Sequence, residues 1–229
     1  MCLFGLMPDP EARPRVAFEV VVLIVLLLVL MVGSCSDVSA AEPVERVEVP
    51  AQKRITLTRE AQRIWGPNAP VARFAAQIHA ESTWRPDVCS RVGACGLAQF
   101  MPATAEWLAT LYPDQLYPVA VEDWRWSVRA LAIYDQRLRG AEVGWESESD
   151  RWAATLTSYV GGAGWVRRER RATAAAGDDP DRWWRHVESH CLRSQIACRE
   201  SRHYPRRILC ELEPAYIHAG WPGRALECQ

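Results

Sequence analysis

Residues 76–105 read AQIHAESTWRPDVCSRVGACGLAQFMPATA, and this stretch decides the fold. Running into it, Val71, Phe74, Ala75 and Ile78 recur at three- and four-residue spacing, which predicts a helix with one apolar stripe. Glu81 lies near the end of that helix, on or beside the face that buries Phe74 and Ile78. Cys89 and Cys95 bracket a loop, and Gly-Leu-Ala-Gln-Phe-Met-Pro leads into a second helix carrying Trp107, Leu108 and Leu111. A carboxyl placed like that of Glu81 is partly desolvated, which raises its pKa toward the range a general acid needs.

Working outward, the pattern stays helical. Val128, Leu131, Tyr134 and Leu138 predict a third helix ended by Gly140. A fourth, capped by Asp150, carries Trp152, Leu156 and Tyr159 and stops at Gly161-Gly162. Further helices are expected around Trp184 with Val187, and around Ile208 with Leu212. Pro205 suits the first turn of the latter, and Pro214 should kink or end it. No convincing alternating run appears, so the fold class is mostly α with at most a small sheet. The run Arg167-Arg168-Glu169-Arg170-Arg171 reads as a solvated helix face. The eleven tryptophans suit a core of large side chains, with some free to stack on sugar rings in a groove.

Formal net charge is −1, which excludes a global field for nucleic acid. There is no Gly-rich phosphate loop ending in lysine, no Gly-x-Ser-x-Gly elbow and no His-Glu-x-x-His. His79 points away from Glu81 on a helix and reads as structural.

Val20 to Val32 is an unbroken apolar run preceded by Arg13 and Arg15, the pattern of an export signal, too short for an ordinary spanning helix. Val32-Gly33-Ser34-Cys35 resembles a lipobox that would put a lipid on Cys35. Val38-Ser39-Ala40 suits ordinary cleavage instead, and an uncleaved anchor is the third reading. Residues 1–40 are therefore read as signal or anchor, 41–56 as a polar linker, and 57–229 as one folded domain, starting near Leu57, with a Cys-rich C-terminal part. Behind an export signal, Cys89, Cys95, Cys191, Cys198, Cys210 and Cys228 suggest three disulfides. Six cysteines allow about 15 connectivities. Proximity favours Cys89–Cys95, Cys191–Cys198 and Cys210–Cys228. Zinc is the competing use, since His186 and His190 precede Cys191 and Cys198, but no paired Cys-x-x-Cys is present.

Four segments, taken in order, resemble the soluble lytic transglycosylase family, lysozyme-like enzymes of bacterial peptidoglycan. They are Glu81-Ser82; Ser90 to Pro102, similar to Ser-x-x-Gly-Ala-x-Gly-Leu-x-Gln; Ser158 to Gly164, similar to an Ala-Tyr-Asn-Ala-Gly turn with Val160 in place of asparagine; and Glu200 to Tyr204, similar to Glu-Thr-x-x-Tyr. The resemblance spans approximately Val71 to Leu209. It implies a lysozyme-like α+β-superfamily domain, stapled by disulfides, acting on glycan strands in the periplasm or envelope without metal or organic cofactor. It implies Glu81 as the catalytic residue, with Ser90, Gln99, Met101, Tyr159 and Tyr204 around the sugar. In relatives the tyrosine matched by Tyr159 sits against the catalytic carboxyl. Gly93 and Gly96 would let backbone approach a sugar closely. A goose-type hydrolase on the same fold would need a second acid, with Asp87, Glu106 and Asp114 as candidates. A non-catalytic wall-binding protein anchored through Cys35 is the other alternative.

Overall fold

A computed structural model describes residues 48–228. The apolar run, Cys2, Cys35 and both processing sites lie outside the described residues. Among the described residues no helix is long and apolar enough to cross a membrane.

The architecture is helical. Helix α1 spans Ala51–Trp65, α2 Val71–Ser82, α3 Pro102–Leu111, α4 Pro113–Leu116, α5 Trp124–Ala141, α6 Glu148–Gly161 and α7 Ala163–Ala175. A single 3-10 turn at Val187–His190 precedes α8 (Gln195–Arg206), a π-helical turn (Arg207–Leu212) and α9 (Glu213–His218). Extended pairing among the described residues is limited to isolated bridges, Cys89 with Cys95 and Cys95 with Phe100. Helix α1 takes in residues 51–56, part of the segment read as linker, because Pro50 opens a helix whose Thr56 and Leu57 are already buried.

The organising element is α2. It was expected to be striped, yet it is buried on nearly every side, from Val71 through His79 and again at Ser82. Helix α1, the π turn and α9 pack against it, and α5 meets it through Asp135. A helix in that position must find partners for each polar side chain, because an unpaired buried polar group is costly. Arg73 donates twice to Glu213 (2.9 and 2.8 Å), and His79 Nδ1 meets the Tyr216 hydroxyl at 3.0 Å. Gln77 Nε2 donates to Asp135 at 3.4 Å.

Several boundaries differ from expectation. Helix α5 runs through Gly140 to Ala141, where the Glu142 amide bonds back to Leu138 and Arg139. Ser147, not Asp150, caps α6: its hydroxyl accepts from the Asp150 amide at 3.1 Å. That frees the Asp150 carboxylate to accept from the Trp183 and Trp184 amides (2.8 and 3.3 Å), so Trp184 sits in a turn pinned to α6 rather than in a helix. Pro205 lies inside α8, not at the start of the next helix. A proline cannot donate to the carbonyl four residues back. Here that carbonyl, on Ser201, accepts from the Thr157 hydroxyl at 3.2 Å, which ties α8 to α6. Pro214 falls in the first turn of α9, after the chain has widened into the π turn.

The arginine run is only partly solvated. Arg167, Arg168 and Arg171 are exposed, but Glu169 is buried and pairs with Arg193 at 2.9 Å. Arg170 lies over Trp145 and bonds the Val143 and Gly144 carbonyls. The disulfides are Cys89–Cys95, Cys191–Cys198 and Cys210–Cys228, the pairs that proximity favoured. Cys191 and Cys198 are therefore unavailable to a metal. His190 pairs with Asp178 at 2.5 Å, and His186 accepts from the Asp179 amide.

Candidate active site

Glu81 sits in the last turn of α2, half-buried. The backbone turns sharply just beyond it, with Thr83 and Trp84 both left-handed (φ 52° and 63°). Single non-glycine residues in this region are costly, and two in succession require support. The Thr83 amide bonds back to His79, Trp84 is buried with Nε1 on the Tyr216 hydroxyl at 2.7 Å, and Lys53 caps the Trp84 carbonyl at 2.9 Å. Tertiary contacts thus hold the turn that aims Glu81.

The loop after it is fastened at two adjacent carbonyls. Ser82 Oγ donates to Leu97 O at 2.8 Å, and the Tyr159 hydroxyl donates to Ala98 O at 2.6 Å. This gives Ser82 a physical role beside the carboxylate: it ties the Glu81 helix to the Gly-Leu-Ala-Gln segment. Gly96 (φ 82°) has no room for a side chain, since a Cβ would lie 1.9 Å from the Val121 carbonyl. Its smallness therefore serves packing against the chain rather than approach to a sugar. Gln99, itself left-handed at φ 48°, spends both amide hydrogens on Val88 O and Gly96 O (3.0 and 2.9 Å). Only its carbonyl oxygen remains to meet a ligand. Ser90 Oγ accepts from the Ala94 amide within the same loop, and Met101 is exposed just ahead of α3.

Tyr204, from α8, donates its hydroxyl to Glu81 Oε1. Tyr159 was expected to hold the carboxyl by analogy with relatives. Here its hydroxyl is engaged by Ala98 while its ring packs against Phe100 and Tyr134 (6.0 and 5.4 Å). Both phenols are pushed up well above the ordinary range, by burial first and by Glu81 second, so they serve as donors. The Glu81 carboxyl is raised from 4.5 to about 7. Burial is the main cause and the negative charge of Glu200 adds to it, while the Tyr204 hydroxyl, which favours the carboxylate, opposes both.

Residues 60–181 match the model of the transglycosylase SLT domain, and that span exceeds half the chain. The chain belongs to the transglycosylase SLT domain family. Over 110 residues it is 33% identical to membrane-bound lytic murein transglycosylase F of Marinobacter nauticus, covering 48% of this chain and 20% of that protein. The 70 kDa soluble lytic transglycosylase SLT70 of Escherichia coli aligns with a TM-score of 0.49 and 20% identity, over 72% of this chain and 24% of that one. The chain thus spans no more than about a quarter of either relative's length. The SLT domain match contains Glu81, the Gly-Leu-Ala-Gln loop and Tyr159, whereas Tyr204 lies beyond it. The hydroxyl on Glu81 is therefore supplied by the disulfide-bonded C-terminal part.

A cavity of about 450 Å³ is lined by Val160, Trp165, Leu192, Arg193, Glu200 and Ser201 among others, and takes in Glu200 but neither Glu81 nor Tyr204. Val160, at the position where the resemblance led one to expect an asparagine, borders this space. Six of the eleven tryptophans are buried in the core, while Trp165 borders this cavity and Trp107 is 42% exposed. Asp87, Glu106 and Asp114, the candidates for a second acid, are all exposed, and Glu200 is the carboxylate whose charge acts on Glu81. Nothing in the spacing singled out Glu200 for that role, because the proximity arises only when α8 packs on α6.

These opposing influences make a directional prediction. Glu200→Gln removes a negative charge and should move the alkaline limb of the pH–activity profile down by about half a pH unit. Tyr204→Phe removes a donor to the carboxylate, the larger of the two influences, and should move that limb up by more than this, with lower kcat. Profiles that move together, or not at all, would detach Glu81 from the limb.

Proposed function

We propose that this domain is a peptidoglycan lytic transglycosylase in which Glu81 acts alone as acid and base. The observation that carries the reading is a carboxyl at the end of a buried helix, with a tyrosine hydroxyl on one oxygen and its pKa raised by burial to about 7. The family membership and the murein in a relative's name support glycan as substrate.

In the first step protonated Glu81 gives its proton to the oxygen joining N-acetylmuramic acid to N-acetylglucosamine. The C1–O bond breaks with its electron pair on the leaving oxygen. Positive charge builds at C1, where the substrate's own acetamido group stabilises it. In the second step the Glu81 carboxylate takes the proton of the muramyl 6-hydroxyl, and O6 bonds to C1. A 1,6-anhydromuramyl end results, Glu81 regains its proton, and no water is consumed. The Tyr204 hydroxyl stabilises the carboxylate between the two steps, which keeps the base half of the cycle accessible. This chemistry needs no metal or organic cofactor, and the expected setting is the bacterial envelope.

A hydrolase remains the second reading, and Glu200 is the residue that favours it, as the charged carboxylate acting on Glu81. Mass spectrometry of purified sacculi digested by the protein separates the two. Anhydromuramyl ends are expected. Reducing muramyl ends would transfer the reaction to water held by Glu200, and intact sacculi with retained binding would make the protein a wall-binding module.

A further inference from the structure

Among the described residues five buried side-chain polar atoms lack a hydrogen-bond partner, and two of them, Gln77 Oε1 and Asp135 Oδ2, belong to side chains that already touch. Both residues are fully buried. Gln77 lies on α2 one turn before Glu81, and Asp135 lies on α5, which packs toward it. An ionised Asp135 would carry one oxygen with no donor, beside a glutamine whose own oxygen also lacks one. One proton resolves both defects: a carboxylic acid donates through Oδ2 to Gln77 Oε1 while its Oδ1 accepts from Gln77 Nε2. The acid and the amide then form a closed two-bond pair, each donor matched to an acceptor.

We infer that Asp135 is a neutral carboxylic acid in the working enzyme, paired with Gln77, and that this pair is a positioning device for the turn of α2 that carries Glu81. The surroundings agree. Burial raises the Asp135 pKa to about 8, and the negative charge of Glu81 adds to the rise, against the Gln77 bond and Arg73. Arg73 is committed to Glu213, so it does not supply a direct counter-ion. The other groups coupled to Asp135 are the phenols of Tyr134, Tyr159 and Tyr204, none of which is positive. Remaining neutral, Asp135 adds no second charge beneath Glu81. The link to catalysis rests on Glu81 as the acid and base, whereas the shared proton does not.

The test therefore begins without substrate, in a Glu81→Gln background that removes the acid whose charge acts on Asp135. The infrared difference spectrum between Glu81→Gln and Glu81→Gln/Asp135→Asn at about pH 6 should show a carboxylic-acid carbonyl band. A carboxylate band alone would overturn the inference. Asparagine mimics the protonated acid, so Asp135→Asn should keep the pair, and its Tm advantage over wild type should widen by about 5 °C or more from pH 5 to pH 8. A gap that does not change with pH would also overturn the proposal. Turnover supplies the positioning readout: Asp135→Leu should lose at least about tenfold in kcat with KM little changed, and Asp135→Asn should restore most of it. Equal losses in both variants would leave Asp135 without the role assigned to it. The infrared band in the Glu81→Gln pair, together with wild-type protein that cleaves no glycan, would instead defeat the reading of Glu81.

Discussion

Glu81→Gln is expected to reduce glycan cleavage by about 10³-fold or more while leaving the fold intact, because one residue performs both proton transfers. The same variant should be more stable than wild type at neutral and alkaline pH. The Glu81 carboxyl is raised from 4.5 to about 7, so the folded state binds its proton more tightly than the unfolded chain. Stability from this group is full below about pH 4.5 and falls as pH rises toward 7, by up to about 3 kcal/mol. Glutamine never ionises and escapes that loss, at the expense only of the Tyr204 bond to a charged acceptor. Sacculus assays and thermal melts between pH 4 and pH 8 check both halves. Lost activity with lower stability at every pH would mean that Glu81 is a structural ion-pair partner instead.

Arg73→Ala should give the largest loss of stability of any single exchange discussed. The Arg73–Glu213 pair is bidentate, and its side chains are 3% and 0% exposed. Removing the arginine strands a buried carboxyl whose pKa burial already pushes up, and breaking such a pair costs about 3–5 kcal/mol. It also empties the space over Trp152, on which the guanidinium lies at 4.4 Å. For a chain of this length the Tm should fall by about 10 °C. Arg73→Met with Glu213→Leu should recover much of the loss, since an apolar pair leaves no charge unpaired. Denaturant melts of wild type and the two variants check this; a double variant no better than Arg73→Ala would assign the effect to packing alone.

What the sequence made legible was local. Glu81, the cysteine loop and the glycines lie within one short stretch, and helical periodicity followed from apolar spacing alone. What stayed hidden depends on tertiary partners. Asp135 precedes Gln136 and Arg137 and reads as part of a polar helix face, yet α2 packs over it. Ser147 and Asp150 are both good capping residues three apart, so the pattern does not say which one caps and which is left to hold the Trp183 turn. Tyr159 and Tyr204 were both marked by motif, but only the packing of α8 against α6 decides which hydroxyl reaches Glu81. Likewise Gln99 looks free to bind sugar until its two hydrogens are found on Val88 and Gly96.

The account turns on the protonation of Glu81, and its most direct test is a carbon NMR titration of the glutamate side-chain carboxyls, with Glu81→Gln supplying the assignment. A Glu81 midpoint at about 7 is the predicted result. A midpoint at the ordinary 4.5 would contradict it, since the carboxyl would then be ionised at neutral pH with no proton to give the glycosidic oxygen.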